Sequence, residues 1–362
     1  MKNSIGTSII LTVFGESHGP AVGAIVDGLA PGIEINYEEI DKMLLRRRPN
    51  GLTDTSRVEI DEYQFLSGVY NGKTTGTPLC VIIPNKDTKG ADYDSWRGLA
   101  RPNHADYSGY MKYHGFEDYH GSGHFSGRVT AGIVVIGAIL KTALKKKGIL
   151  IGSHILKCGK VEDIHFEGKN EEIECLENKF IPTLNNIEKD IEKEILKAKE
   201  ANDSIGGLIE TMVIGHPAGV GEPWFDSVES LISQAIFAVG GVKGIEFGDG
   251  FKMANAHGSE VSDNFNIKNG KIVTKTNHSG GINGGITNGM PIIFTVAIKP
   301  TSSIGKEMET VDFIKNEEAT LKLVGRHDPS IVRRVNVVIE AMTAIVMADL
   351  LAQRYGTDYL RG

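Results

Sequence analysis

The chain has 362 residues, which can bury a large core as one big domain or two ordinary ones without support from metals or disulfides. Its 46 Asp and Glu outnumber its 39 Lys and Arg, and this acidic excess argues against a general binder of nucleic acid or anionic membranes. Three cysteines without metal or redox spacing, together with an N-terminus that lacks a signal-peptide pattern, predict a cytoplasmic protein.

The predicted elements of the N-terminal half are two strands and two helices. The segments SIILTVFG and AVGAIVDGL are β-branched apolar runs ended by glycine, as strands are. The segment NYEEIDKMLLRRRP predicts a helix with Asn36 as N-cap, Glu39 as its capping-box partner and Pro49 as its stop. The apolar run VTAGIVVIGAIL lies between Arg128 and Lys141 and predicts a buried core helix. The flanking charges leave it too short to span a bilayer.

The C-terminal half continues with helices and glycine-rich loops. Residues 159–202 are charged and lysine-rich, with isoleucines at helical spacing, and predict a peripheral helical excursion. The segment DSVESLISQAIFAVGG predicts a capped helix with Asp226 as N-cap and Glu229 as its partner. The apolar run VNVVIEAMTAIVMADLLA predicts another buried helix. Because no repeat and no linker divides the chain, we expect a single domain over residues 1–362.

Several short polar stretches are candidate sites, although each alone also fits an ordinary polar turn. The stretch GESHG places a carboxylate, a hydroxyl and His18 side by side, and histidine exchanges protons near neutral pH. The stretch RPNHADY places His104 between Arg101 and Asp106. The stretch KPTSS, Lys299 to Ser303, follows a strand-like run, and its ammonium and three hydroxyls suit a phosphate or the polar edge of a flavin. The loop GRHDPSIVRRV concentrates both charge signs before an apolar helix, which favours a binding site.

Taken together and in order, these stretches resemble the chorismate synthase family over roughly residues 5–352, most weakly between 159 and 202. The segments that carry the resemblance are FGESHG, RRRP, TTGTP, RPNHADY, KYHGFEDYHGSGHFSGR, VKGIEFGDGF, GGINGGI, IKPTSSI and GRHDP. The resemblance implies a lyase that makes chorismate from 5-enolpyruvylshikimate 3-phosphate by 1,4-anti elimination of phosphate, in aromatic amino acid biosynthesis. It implies reduced FMN as cofactor, used without net redox change, and a homotetramer. The implied fold is α+β, a β-α-β sandwich with core helices between antiparallel sheets.

The resemblance also implies roles for single residues. His18 would protonate the flavin near N1, His104 would protonate the departing phosphate, and Asp328 would help relay the proton lost from substrate C6. The guanidinium groups that would bind the anionic substrate belong to Arg46, Arg47, Arg48, Arg57 and Arg128. In members that reduce their own flavin, Arg47 would also contact NADPH. The FMN contacts would fall on His124, Phe125, Ser126, Gly240, Gly241, Gly284, Lys299, Pro300, Thr301, Ser302, Ser303 and Arg326.

Some positions depart from the family pattern or carry a second interpretation. His124 and Phe125 stand where many members have arginine and serine, and Gly240 and Gly241 stand where many have Asn-Ala. Asp328 has a structural alternative, because Asp is a favoured N-cap and the proline after it suits the first position of a helix.

Two other classes of function compete with this interpretation. A serine hydrolase could use Ser17 and His18 with a distant Asp, but the chain lacks a G-x-S-x-G elbow, and adjacent side chains on a strand point apart. A non-catalytic anion-binding protein would explain the arginines but not the paired histidines. Neither the G-x-G-x-x-G dinucleotide pattern nor a P-loop lysine is present, which disfavours the two standard nucleotide folds.

Overall fold

The computed structural model describes residues 2–51, 53–54, 60–86, 91–323 and 328–361. Its helices are α1 (Tyr37–Arg47), α2 (Ala91–Asp94), α3 (Asp106–Tyr113), α4 (Thr130–Lys146), α5 (Asn170–Glu174), α6 (Glu188–Glu200), α7 (Val228–Phe237) and α8 (Val332–Tyr355). Its strands are β1 (Ser4–Ile5), β2 (Ile10–Gly15), β3 (Ala21–Asp27), β4 (Gln64–Ser67), β5 (Val69–Tyr70), β6 (Lys73–Thr74), β7 (Leu79–Pro84), β8 (Leu150–Cys158), β9 (Val161–Glu162), β10 (Gly207–Ile214), β11 (Val242–Phe247), β12 (Phe265–Lys268), β13 (Lys271–Thr274), β14 (Ile282–Asn283), β15 (Ile286–Thr287), β16 (Ile292–Ile298), β17 (Glu307–Asp312) and β18 (Glu317–Lys322).

Two five-stranded sheets form the outer layers. The first has the order β1-β2-β3-β7-β4, and the second has the order β11-β16-β10-β8-β9. Every pairing within them is antiparallel. The remaining strands pair as hairpins, of which β14–β15 and β12–β13 are two.

The middle layer consists of helices packed face to face. Helix α4 lies on β3 and β7 of the first sheet, α8 lies on β8 and β10 of the second, and α4 and α8 pack on each other. A side chain at Gly137 of α4 would place its Cβ 2.4 Å from the Cβ of Ala341, so glycine permits this close helix contact. The predicted α+β class and β-α-β sandwich are therefore confirmed.

The position of α4 and α8 explains their composition. By length and hydropathy alone, both could cross a bilayer, but 100% of the most apolar window of α8 and 72% of that of Gly127–Lys146 is buried inside the protein. A helix buried between a sheet and other helices has no solvent-exposed polar face, because nearly every side of it meets another element. The sequence prediction of two buried core helices is confirmed.

Of the two predicted N-caps, Asn36 is confirmed and Asp226 is not. Asn36 is the N-cap of α1, where its Oδ1 accepts a hydrogen bond from the backbone of Glu39 at 3.1 Å. The predicted cap Asp226 of α7 is wrong, since α7 begins one residue later and the hydroxyl of Ser227 accepts from the backbone of Ser230 at 3.1 Å. Serine and aspartate cap equally well, so composition could not choose between neighbours.

The excursion at 159–202 contains α5 and α6. Ile191 and Ile195 of α6 are buried and belong to the main hydrophobic core, so one face of this charged segment is anchored to the sandwich. The spacing of these isoleucines is the reason the helix could be predicted.

Candidate active site

A cavity of about 540 Å³ lies where the end of α1 meets the starts of α4 and α8. Loops from both halves of the chain complete its wall, including those after α7 and after β16. Predicted site residues in its lining are Arg47, His104, Phe125, Ser126, Arg128, Gly240, Gly241, Lys299, Pro300, Thr301, Ser302, Ser303 and Asp328. The fold thus brings together residues that are up to 281 positions apart in the sequence.

Two arginines of the lining share one buried carboxylate. Nη2 of Arg47 lies 2.6 Å from Oδ2 of Asp61, and Nη1 of Arg128 bonds the other oxygen of the same side chain. Asp61 is 1% exposed and Arg47 5%, so this ion pair is shielded from bulk solvent at the cavity wall. Burial lowers the pKa of Arg47, Asp61 opposes this, and repulsion from Arg334 and Arg128 adds to the lowering. Asp61 therefore makes it possible to hold these like charges side by side.

His104 lies in a second charged network, with Arg101 and Asp106. Nδ1 of His104 is 2.7 Å from Oδ1 of Asp106, and its Nε2 is 3.2 Å from the hydroxyl of Ser122. Arg101 binds Asp106 through Nε at 2.8 Å and Nη2 at 2.7 Å. Burial and the charge of Arg101 lower the pKa of His104, while Asp106 acts in the opposite direction. Burial raises the pKa of Asp106, but bonds from Arg101 and His104 outweigh it and hold that pKa well below its usual range.

The predicted hydroxyl-rich loop KPTSS forms one wall. Nζ of Lys299 lies 2.7 Å from the hydroxyl of Ser302 and also bonds the carbonyl oxygen of Asn103. The hydroxyl of Ser303 accepts from Nη1 of Arg101 at 3.2 Å, which links this loop to the His104 network. Burial, followed by repulsion from Lys243, lowers the pKa of Lys299.

Asp328 lines the cavity beside the start of α8. Its Oδ2 lies 2.6 Å from Nη1 of Arg334, and its carbonyl accepts from the hydroxyl of Thr301 at 2.8 Å. The alternative that Asp328 caps the following helix is wrong, because α8 begins at Val332 and its N-cap residue is Ile331. The carboxylate pairs with Arg334, a side chain of the helix.

His18 lies behind the lining, next to Ser17, which reaches the cavity. The backbone N–H of Ser17 donates to the carbonyl of Gly123 at 3.0 Å, and the ring of His18 meets Tyr93 edge-on at 5.2 Å. A Cβ at Gly121 would lie 2.0 Å from the imidazole, so this glycine is what lets the loop pack on His18.

The other predicted site residues have different positions. Nδ1 of His124 donates to the carbonyl oxygen of Gly15, 2.8 Å away, and Gly284 lies in the turn between β14 and β15. Neither of them, nor Arg48, is part of the described cavity lining. Arg57 and Arg326 fall outside the described residues.

Comparison with known proteins gives a consistent answer. The family model described as chorismate synthase matches residues 9–352. The chain belongs to the chorismate synthase family. It is 44% identical over 349 residues to a chorismate synthase from Thermococcus kodakarensis, covering 96% of this chain and 97% of that one. It is 42% identical over 363 residues to one from Methanobrevibacter smithii, covering 96% of each. A crystal structure titled chorismate synthase matches with a TM-score of 0.76 at 30% identity, over 97% of this chain and 94% of that chain.

Sequence reasoning missed two residues of this chorismate synthase family site. Asp61 gave no signal, because its partners are 14 and 67 positions away and nothing in its own segment marks it. Ser122 lies inside the glycine-rich segment HGSGHFSG, but its φ of 72° between two positive-φ glycines is visible only in the structure. A non-glycine residue in the left-handed region carries backbone strain of about 1–3 kcal/mol, which is common at functional sites.

Arg46, predicted to bind substrate, points into the helical layer instead. Its Nη2 lies 2.7 Å from Oε2 of Glu340 and 3.0 Å from Oδ1 of Asn336, and Lys141 bonds the second oxygen of Glu340. Burial raises the pKa of Glu340, but Arg46 and Lys141 outweigh it and lower the pKa to about 2. Consecutive residues of a helix point in different directions, so Arg47 reaches the cavity while Arg46 does not.

This geometry predicts that Glu340→Gln destabilises the fold by about 3–5 kcal/mol at pH 7, because two buried cations lose their anion. In the folded protein the pKa of Glu340 is about 2, below its ordinary value of 4.5. The stabilisation by the carboxylate is therefore fully present above pH 4.5 and is lost as the pH falls through 2. The difference in the free energy of unfolding between the wild-type protein and Glu340→Gln should therefore become smaller toward acid pH. Urea unfolding at pH 7 and pH 3 measures it.

The matched control is Glu177→Gln, which removes an exposed ion pair with Lys145. It should cost less than about 1 kcal/mol. Equal losses in the two variants, or a loss for Glu340→Gln that is independent of pH, would show that the Glu340 network does not stabilise the fold electrostatically.

Proposed function

We propose that the chain catalyses the 1,4-anti elimination of phosphate from 5-enolpyruvylshikimate 3-phosphate, which gives chorismate and is a carbon–oxygen lyase reaction. The reaction breaks the C–O bond to phosphate and removes a proton from C6. The observation that carries the proposal is the cavity itself, which joins cations, His104 and Asp328 in a chain of the chorismate synthase family.

The cavity suits a substrate with two carboxylates and a phosphate. Arg47 and Arg128 converge on Asp61, and Lys299 adds a cation bonded to neutral oxygens. These cations gather at one cavity in a chain whose net charge is −7. Guanidinium groups bind carboxylate and phosphate oxygens in pairs, so these arginines are the proposed substrate contacts.

The residues present also fit reduced FMN. The wall from Lys299 to Ser303 offers one ammonium and three hydroxyls, Phe125 offers an aromatic face, and Gly240 and Gly241 leave room for a planar group. A Cβ at Gly240 would meet nothing within 4 Å. When bound, reduced FMN supplies transient electron density for breaking the C–O bond, and the overall reaction has no net redox change.

The chain's own groups would manage the protons. His104 lies in the lining, and we assign it the transfer of a proton from Nε2 to the departing phosphate, which then leaves with less negative charge. Asp328 would accept the proton lost from C6 on its carboxylate. His18, behind Ser17, would act as an acid toward the flavin. Arg47 would be the contact for NADPH if the chain reduces its own flavin.

The proposal predicts a specific cofactor requirement. Under anaerobic conditions, purified protein with 5-enolpyruvylshikimate 3-phosphate and chemically reduced FMN should release chorismate and phosphate in equal amounts. Oxidised FMN with NAD or NADP alone should give no turnover, since the chain has no G-x-G-x-x-G element. Chorismate absorbance and a phosphate assay measure it, and turnover in air without any reductant would contradict the proposal.

His104→Ala is expected to lower turnover by roughly a hundred- to ten-thousandfold, because a positioned proton donor contributes about that much. His257→Ala is the control, since the side chain of His257 is 89% exposed and the residue is not part of the described cavity lining. Steady-state kinetics with reduced FMN measures both. Full activity in His104→Ala would remove the proton-donor role.

Asp328→Asn tests the proposed base. The amide keeps an oxygen for Arg334 but cannot accept a proton, so turnover should fall by roughly ten- to ten-thousandfold. The melting temperature should change little, because the ion pair is partly exposed and Asp328 is not the helix cap. Wild-type turnover at saturating substrate would exclude a role as base.

We further propose a cytoplasmic homotetramer, as the family resemblance implies. The hairpin β12–β13 supports assembly, because Phe265, Ile267 and Ile272 are each more than 70% exposed. Clustered apolar side chains on a surface are typical of protein interfaces. Multi-angle light scattering of the purified chain measures the oligomeric state.

A further inference from the structure

We propose that Asp106 is a positioning residue for His104, whose carboxylate holds the imidazole with its proton on Nδ1 and leaves Nε2 as the nitrogen that gains and loses a proton beside Ser122 and the cavity. The inference rests on the proposed function only for its catalytic consequence. The orientation itself follows from the contacts of Arg101, Asp106 and His104.

The hydrogen count of Arg101 decides which nitrogen of His104 is protonated. Its Nε hydrogen goes to Oδ2 of Asp106, and its two Nη2 hydrogens go to Oδ1 of Asp106 at 2.7 Å and the hydroxyl of Ser122 at 3.1 Å. No Nη2 hydrogen is then left for Nδ1 of His104, which lies 3.1 Å away. Nδ1 is closer to Oδ1 of Asp106, at 2.7 Å, and a carboxylate only accepts. Nδ1 must therefore carry the hydrogen.

Asp106 can hold the ring because it is itself fixed. Arg101 binds both of its oxygens, and the backbone N–H of Arg101 adds a bond to Oδ2 at 3.0 Å. Asp106 is also the first residue of α3, where a negative charge is favoured by the helix dipole. Arg101 is 7% exposed, so the pair is shielded from solvent and from salt.

On the other side of the ring, Nε2 has a neutral partner. The hydroxyl of Ser122, 3.2 Å away, can donate to Nε2 of a neutral imidazole and accept from Nε2 of an imidazolium. It therefore accommodates His104 before and after proton transfer. The order Ser122, His104, Asp106 resembles a hydrolase triad, but Arg101 bonds both ends and its charge makes His104 a weaker base for serine.

Among the residues that the structure describes, three charged groups act on the imidazole: Asp106 from α3, Arg101 from the loop before it and Lys299 from the loop after β16. Burial, Arg101 and Lys299 lower the pKa of His104, and Asp106 is the group that raises it. Replacing Asp106 by Asn removes that support and also leaves the charge of Arg101 uncompensated. Both changes lower the pKa of His104 further.

The test is ¹⁵N NMR of the histidines in the full chain without substrate or cofactor, with His104 assigned by the signal that is missing from His104→Gln. In the wild-type protein, neutral His104 should show the Nδ1–H tautomer. In Asp106→Asn its titration midpoint should fall by at least about one pH unit, and the Nε2–H tautomer should appear. The alkaline limit of kcat should move to lower pH by the same amount, because the proton donor must be charged.

The matched control is Asp249→Asn, which removes the carboxylate from another histidine, His278, at 2.6 Å. It should leave the His104 titration and the kcat profile unchanged. An Nε2–H tautomer in the wild-type protein would overturn the proposal even if Asp106→Asn does not fold, and so would an unshifted midpoint in a folded variant. If the midpoint shifts while the kcat profile does not, the positioning stands and the proton-donor role of His104 fails.

Discussion

The contact on which the cavity depends is between two arginines of α8 and the end of α1. Nη1 and Nη2 of Arg333 donate to the carbonyls of Arg46 and Arg48, each at 2.8 Å, and Nε of Arg334 donates to that of Arg47 at 3.0 Å. The last carbonyls of a helix lack hydrogen-bond partners within the helix and carry partial negative charge. A guanidinium group therefore supplies the missing hydrogen bonds and also a favourable positive charge. Because α1 is docked through its backbone, the side chain of Arg47 stays available to the cavity.

Buried carboxylates determine how many arginines this region can hold. Arg333 is 3% exposed and is paired with Asp54. Burial raises the pKa of Asp54, and the charge of Arg333 acts against this rise. Asp61 forms ion pairs with the two cavity arginines Arg47 and Arg128, and Glu340 forms ion pairs with Arg46 and Lys141. An unpaired guanidinium at these depths would cost several kcal/mol, so each cation cluster is built around an acid. The acidic composition and the cationic cavity are compatible for this reason.

Local signals carried most of what could be predicted from the sequence. The cap at Asn36 and the largely apolar helices α4 and α8 depend on neighbours a few residues away, and these predictions are confirmed. The cation–carboxylate pairs depend on contacts across the fold: Arg333 and Asp54 are 279 positions apart. The rotation of α1 against α8 decides which of the three consecutive arginines enters the cavity. This rotation cannot be predicted from the segment RRRP alone.

Lys299 differs from the arginines of the lining in what it binds. Arg47, Arg101, Arg128 and Arg334 each contact a carboxylate, whereas the contacts of Lys299 among the described residues are a carbonyl and a hydroxyl. A cation paired with an acid is oriented but partly neutralised, while one bound to neutral oxygens keeps its full charge for a ligand. Burial already lowers the pKa of Lys299, so an arriving phosphate would stabilise its charged form. The same phosphate would favour charged His104, whose pKa is lowered in the free protein, so anion binding and readiness to donate a proton are coupled through the charges that face this wall.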